Sequence, residues 1–268
     1  MELKMPSDII LQPSRFKAAA KHYLKGRPAY GKGLVLKIIR ELSLGPDDAV
    51  MDLGCGPGQL AVMFAPFVGS VVAIDPSPDM LAIGKDAARH LPNVHFKLGS
   101  SFDIGAEIGT FRLVTIGRAF HWMDRCDTLR RLDGMIVSGG AVALFADSHP
   151  KHRANAWVEP FRQMIEEYAA GDVEISKRRS IDWLSNEEML LASPFTQLER
   201  WSVIEARVLP SAYLVERALS MSSINEARIG SRLDQLLDAI ARFTSRWSDE
   251  GMLSEVIESS AIVARRPE

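Results

Sequence analysis

Cysteine is scarce in this chain: Cys55 and Cys126 are the only two among 268 residues. So few thiols build no disulfide framework, and their spacing fits no zinc-ligand pattern. No apolar run reaches the roughly 18 residues that a membrane-crossing helix needs. The opening stretch, residues 1–17, carries charges and prolines but no apolar centre, so it does not read as a secretory signal. The expectation is a cytoplasmic protein with no membrane span. A surplus of either charge is also lacking. Lys plus Arg is 32 and Asp plus Glu is 34, a net charge of −2, whereas a general nucleic-acid binder carries a basic excess. Internal repeats and low-complexity tracts are absent as well. What remains is an ordinary globular composition, 47% hydrophobic and 25% charged, at a length that suits one large α/β domain with a modest insertion.

The chain opens with a short helical pattern at 15–25 and a turn at Gly26-Arg27-Pro28. From residue 34 onward, helical periods and short apolar runs alternate. Helices are expected over 34–44 and 59–67, and after Ser77, which suits an N-cap, and Pro78, which suits a first helical position. A further helix opens at Asp124. The apolar runs Ala49–Leu53, Ser70–Ile74, Val94–Leu98, Leu113–Ile116 and Ala141–Ala146 read as buried strands, with a turn at Gly139-Gly140. Such alternation favours parallel strands covered by helices on both faces. The pattern breaks after residue 147. Residues 154–192 read as all-helical, 195–204 as a sixth strand, 226–247 as one helix and 259–264 as a last strand.

The most informative segment is Val50-Met51-Asp52-Leu53-Gly54-Cys55-Gly56-Pro57-Gly58. Here a buried strand runs into a glycine turn and a helix follows. Glycines serve where backbone must take positive φ or approach a ligand, and the helix start offers unpaired N–H groups. Asp75 ends the next strand, 21 residues beyond Gly54. In a parallel sheet its carboxylate falls beside that turn, where it can accept both hydroxyl hydrogens of a ribose. A dinucleotide fingerprint would read G-x-G-x-x-G/A, but Gln59 stands at its last position and the glycines fall as G-x-G-x-G behind Asp52.

That arrangement resembles motif I of the class I S-adenosylmethionine (SAM) methyltransferases. Phe16, His22-Tyr23, Arg27-Pro28 and Tyr30 resemble the N-terminal entry motif of the small-molecule branch, and Ala119-Phe120-His121-Trp122 resembles its fourth-strand motif. Within that branch the chain is similar to the methyltransferase type 11 and trans-aconitate methyltransferase-like group. The resemblance implies a Rossmann-like α/β sandwich with a mostly parallel seven-stranded sheet. Residues 1–32 would form a helical lid, 33–150 and 193–268 the SAM-binding core, and 151–192 an inserted helical cap. It implies SAM as cofactor, S-adenosylhomocysteine as product and a small organic acceptor as partner, with no nucleic acid.

By the same resemblance, Asp52 and the backbone of Gly54, Cys55 and Gly56 contact the amino-acid end of SAM, and Asp75 binds the ribose hydroxyls. Met80 or Pro76 packs on the adenine. The family's acid after the third strand is missing at Ser100, so Ser101, Phe102 or Asp103 substitutes for it. Gly117 and Arg118 lie against the methionine portion. Tyr23 and Arg27 cover the cofactor from the lid, Arg27 as a partner for its carboxylate. Two of these residues have structural readings too: Tyr23 as core, and Asp52 as a cap for backbone N–H groups.

Methyl transfer from a sulfonium is an in-line displacement, favoured by alignment and exclusion of water. His121 is the candidate base, with wall packing as its other reading. His149 and His152 lack the partners of a metal site. Trp157, Phe161, Met164 and Tyr168 form a stripe that packs the insertion or roofs an acceptor pocket. Lys177-Arg178-Arg179 is a solvated surface or an attractor for an acidic acceptor. Two alternatives stand beside the leading one. The first is an RNA or protein methyltransferase, for which the Asn/Asp-Pro-Pro-Tyr/Phe motif of base-amine or glutamine methylation is missing. The second is a SAM-binding regulator or pericyclase-like enzyme of the same fold.

Overall fold

The computed structural model describes residues 14–169 and 172–267. Among these, seven strands form one sheet: β1 (Ala49–Leu53), β2 (Ser70–Asp75), β3 (Val94–Leu98), β4 (Phe111–Gly117), β5 (Ile136–Ser148), β6 (Gln197–Pro210) and β7 (Met252–Arg265). Their order is β3-β2-β1-β4-β5-β7-β6. The first five are parallel, and β7 runs antiparallel to both β5 and β6. This is the Rossmann-like sandwich. The chain winds from β1 outward to β3 and then returns to place β4 on the other side of β1. An open α/β sheet leaves its crevice at such a switch point, beyond the strand ends.

The central strands are buried because helices cover both faces. Val50, Leu113 and Ala141 face one side, against Leu34 and Ile38 of helix Lys32–Glu41 and Phe64 of helix Gln59–Phe64. Met51, Val114 and Val142, one residue on in each strand, face the other side, against Leu129 and Leu132 of helix Arg125–Asp133. Ser77 caps helix Pro78–Ala87 by accepting from Met80 N, and Asp124 caps the next by accepting from Asp127 N.

Several boundaries differ from the sequence expectation. Gly139-Gly140 is no turn: it lies inside β5, at a register irregularity against β4. β6 and β7 are both 14 residues long. A helix at Tyr213–Leu219 escaped the sequence reading, and the 226–247 pattern is interrupted by a 3-10 turn at Gly230–Arg232. The helical layer also departs from the expected 151–192 cap. Trp157, Phe161 and Ile165 of helix Val158–Tyr168 share a core with Leu214 and Ala218 and with Leu236 and Ile240 of helix Leu233–Trp247. Met189 and Leu190, by contrast, pack into the core of the main sheet. The apolar stripe needed a partner face, and residues beyond the expected boundary supply it.

The N-terminal region docks on this layer; residues 1–13 of the expected lid lie outside the described residues. Helix Ala20–Gly26 packs on Tyr213–Leu219 so closely that a Cβ on Gly26 would lie 2.1 Å from the Glu216 carbonyl oxygen. His22 Nδ1 meets Glu216 at 2.8 Å, Lys21 meets Glu226 at 2.6 Å, and Asn225 donates to the Arg15 carbonyl at 2.7 Å.

Asp52, at 1% exposure, ties three elements together. One carboxylate oxygen accepts from Thr115 Oγ1 of β4 at 2.9 Å; the other accepts from Ala61 N at 3.1 Å, an amide in the first turn of the helix after the glycine loop. Burial pushes this carboxyl up to about 7, against the ordinary 3.8.

Two outcomes are expected. Gly26→Ala should lower stability by about 1–3 kcal/mol through overpacking; an unchanged denaturation midpoint would contradict the close helix contact. Between pH 4 and 7 the folded chain holds a proton on Asp52 that the unfolded chain has released, so stability contributed here falls as pH rises through that window. Asp52→Asn should therefore flatten the fall, as read from denaturation at several pH values; an identical slope in both proteins would refute it.

Candidate active site

The loop after β1 takes its shape from three left-handed residues: Gly54 at φ 69°, Gly56 at 55° and Gly58 at 76°. L-residues resist that conformation, which explains the alternate glycines. The loop's N–H groups turn toward β2. Gly54 N and Cys55 N both donate to the Ile74 carbonyl, at 2.8 and 3.0 Å, and Gly56 N donates to Asp75 Oδ2 at 2.8 Å. Backbone contact from Gly54 and Cys55 to a ligand is thereby left to their carbonyl oxygens. The Cys55 side chain is buried, and burial pushes its thiol well above the usual range, which disfavours the thiolate.

Asp75 stands opposite this loop. Its Oδ1 accepts from Ser77 N at 2.9 Å, while Oδ2 takes the Gly56 amide. Burial raises its pKa, opposed by those two amide hydrogen bonds. Each oxygen keeps a second lone pair, and the carboxylate lines a cleft of about 740 Å³. Gly54, Gly56, Pro76 and Met80 share that wall; Ser100, Ser101, Gly117 and Arg118 form another; Phe16, Tyr23, Trp122 and Met123 complete it. Small residues keep the walls close. A Cβ on Gly117 would lie 2.4 Å from the Tyr30 hydroxyl, and one on Gly54 would lie 2.5 Å from Ala119 Cβ. A Cβ on Gly56 would point across the opening toward Tyr23, 3.9 Å from its ring.

Not every residue expected at the cofactor lies in this cleft. Asp52 accepts from Thr115 Oγ1 and Ala61 N behind the loop and, with Cys55, lines a small pocket next to the cleft that shares Tyr23, Gly54 and Gly117 with it. Of the three candidates after β3, only Ser101 lines the cleft. Phe102 is 44% exposed, and Asp103 accepts from Ser100 N and Oγ at 2.8 and 2.7 Å, which holds its carboxyl below the usual range. Ser100, Ala119 and Met123 were missed by sequence reasoning. Ala119 belongs to the quoted fourth-strand motif and Met123 directly follows it, so position after β4 was the available signal.

Arg118, itself at φ 54°, pairs with Asp147, donates to the Pro28 carbonyl at 2.7 Å and lies 4.2 Å over the Tyr30 ring. It lines both the cleft and an adjoining chamber of about 1140 Å³. Arg27 lines the chamber and not the cleft, together with His121, Asp147 and Arg178. Burial, with Arg178, Arg27 and Arg125 nearby, brings the His121 imidazole down to about 3, so it is neutral near pH 7. Within the triplet at 177–179, Arg178 lies 5.1 Å over the Trp122 ring, whereas Arg179 pairs with Glu166 at 2.5 Å.

The remaining candidates lie outside the cleft. His149 meets Glu255 at 2.6 Å, and Arg207 and Arg217 meet the same carboxylate. Against the upward push of burial, these partners hold Glu255 down to about 2. No metal-ligating cluster occurs among the described residues. Trp157 donates to the Ser254 carbonyl at 2.8 Å and Tyr168 to the Gln235 carbonyl at 3.2 Å, and Trp157 and Phe161 also line a cavity that shares Asp147, Met221 and Ser223 with the chamber. No helix among the described residues is long and apolar enough to cross a membrane.

Residues 50–140 match a family described as a methyltransferase domain. An uncharacterized methyltransferase of Schizosaccharomyces pombe is 24% identical over 234 residues, spanning 85% of this chain and 88% of that one. A 2-phytyl-1,4-naphtoquinone methyltransferase of Thermosynechococcus vestitus is 31% identical over 126 residues, 46% of this chain and 55% of its own. Among solved structures, a SAM-dependent methyltransferase from Geobacter sulfurreducens in complex with S-adenosyl-L-homocysteine superposes with a TM-score of 0.54 at 16% identity, covering 96% of this chain and 100% of that one. The [4+2]-cyclase SpnF shares the fold at a TM-score of 0.51 and 15% identity, covering 88% of this chain and 81% of its own. The family match falls on the strands and loops that build the cleft, and with the methyltransferase-named relatives it supports a SAM-dependent methyltransferase of this fold, with SAM as its cofactor.

Proposed function

We propose that the protein methylates a small organic acceptor held in the chamber beside the cofactor cleft. The observation that carries this reading is Asp75, a carboxylate fixed by the Gly56 and Ser77 amides with lone pairs left over at the cleft wall. Two vicinal hydroxyls of a ribose suit those acceptors. Pro76 and Met80 would flank the adenine beside Ser101. The carbonyls of the glycine loop would accept from the ammonium, with Tyr23, Gly117 and Arg118 around the amino-acid end. The cofactor, when bound, supplies an electrophilic methyl group on a sulfonium. Phe16, Tyr23 and Trp122 line both the cleft and the chamber, and their rings favour a dry passage for a displacement in which charge is lost. The quinone methyltransferase relatives support a small-molecule acceptor, although they match over only about half their length.

His121 fits a neutral wall group better than a base. An imidazole whose conjugate acid dissociates at about 3 is a weaker proton sink than an ordinary histidine. The reading therefore favours acceptors that arrive already ionised or that react without prior loss of a proton.

Formation of S-adenosylhomocysteine from SAM on incubation with acceptor tests the activity itself. Asp75→Ala should weaken S-adenosylhomocysteine binding by about 1.5–3 kcal/mol, the range for hydrogen bonds to a charged group; unchanged affinity by calorimetry would remove Asp75 from the ribose role. The His121 ring should stay neutral from pH 8 down to about pH 4 in an NMR titration. A midpoint near 6.5 would restore it as a base.

A further inference from the structure

β6 closes one end of the sheet. It pairs with β7, and among the described residues no other strand pairs with it. An edge strand presents alternate N–H and C=O groups to whatever lies beside it. Proteins usually blunt such an edge by shortening it, bulging it, or placing proline or lysine in it. β6 has none of these devices over most of its length. It runs for 14 residues without a lysine, its register with β7 is unbroken from Gln197 to Pro210, and its one proline is the last residue.

The side chains point the same way. Successive residues of a strand face opposite sides. On one face Trp201 and Val203 pack toward the core. On the other, Ser202, Ile204, Ala206 and Val208 are exposed, Ile204 at 59% and Val208 at 61%. Of the strand's charged groups, Glu199, Arg200 and Arg207 pair with Arg265, Glu187 and Glu255. Glu205 forms no ion pair among the described residues. The open edge thus carries an apolar row on one face and a carboxylate without a counter-charge on the other.

The sequence of β6 selects how a second copy would fit. Two copies paired antiparallel about a two-fold axis keep like faces together, so the axis passes through a residue. Through Ser202 it sets Glu199 against Glu205, through Glu205 it sets glutamate against glutamate, and through Arg207 arginine against arginine. Like charges directly opposite destabilise a ladder. Through Val203 or Ile204 it sets Arg200 against Ala206 or Val208. Through Ala206 the pairs agree: Ile204 meets Val208, Val203 meets Leu209, and Glu205 meets Arg207. Arg207 turns Nε and Nη2 to Glu255, which leaves Nη1 for a carboxylate across the edge.

We propose that the chain forms a two-fold dimer through β6, with Ala206 on the axis and Glu205 facing Arg207 of the partner subunit. The two sheets then continue as one. The axis lies at the β6 end of the sheet, whereas the cofactor cleft lies beyond β1, β2 and β4, so this assembly is independent of the methyltransferase reading.

The full chain in solution, followed by light scattering on a sizing column and by sedimentation equilibrium, should have twice the 29.6 kDa mass of one chain. Glu205→Arg turns each opposite-charge pair into a like-charge pair. Because that pair occurs twice, the dimer should weaken about tenfold or more. Ile204→Lys should weaken it too, by setting an ammonium group against Val208 of the partner subunit. Adding Val208→Glu to Ile204→Lys brings opposite charges together only in the register centred on Ala206, and should restore the dimer. Circular dichroism of each variant, expected to match the wild type, separates loss of the dimer from loss of the fold. A wild type that stays monomeric up to its solubility limit overturns the proposal and leaves the edge to a strand of another protein. A dimer that survives both Glu205→Arg and Ile204→Lys overturns it by assigning the contact to another face. A double variant that stays monomeric overturns the register.

Discussion

Three successive backbone N–H groups of the glycine loop end on β2: two on the Ile74 carbonyl and the third on the Asp75 carboxylate. Everything at the cofactor cleft depends on this anchoring. It fixes a run of alternately left-handed residues that would otherwise have many conformations. It also fixes Asp75, because the same bond that restrains Gly56 restrains the carboxylate. A second aspartate works behind the loop. Asp52 joins β1 to β4 and to the helix that follows, so the loop is held from below by one carboxylate and from the side by another. The two differ in what they leave over. Asp52 borders only a small pocket beside Tyr23 and Gly117, whereas Asp75 borders the main cleft.

The lid and the helical layer set the other boundary of the site. Gly26 lets the lid helix approach the backbone of Tyr213–Leu219, and the polar contacts of Lys21, His22 and Arg15 hold that approach. Phe16 and Tyr23 reach the cleft because the helices bearing them are docked in this way. The chamber is thus a product of the long-range contact between the N-terminal region and residues 213–226. The Glu255 network with His149, Arg207 and Arg217 anchors the same helix to β7 and to the end of β5. Disturbing it would move the chamber wall while leaving the glycine loop in place.

What could be read from the sequence follows the range of the interactions involved. The glycine loop, Asp75, the Ser77 cap and the first five strands announce themselves by local spacing, and the structure has each of them. β6 was truncated in the sequence reading because much of that strand is exposed and polar, so an apolar-run criterion sees only its start. The Gly139-Gly140 pair was read as a turn because glycines punctuate chains, yet here they allow a strand to continue through a bulge under the Arg112 backbone. The orientation of Asp52 was not legible, since it depends on the register that brings Thr115 beside it. Nor was the placement of Arg27 in the chamber. A motif fixes which residue follows a helix, while the space that residue faces is decided by what the helix packs against.

The neutrality of His121 and the lowered pKa of Arg27 share one origin. Burial takes both groups out of water, and the arginines nearby, Arg178, Arg27 and Arg125 at His121 and Arg118 and Arg217 at Arg27, add to the cost of positive charge. In a low-dielectric space a positive field disfavours a further proton on an imidazole and favours an anion.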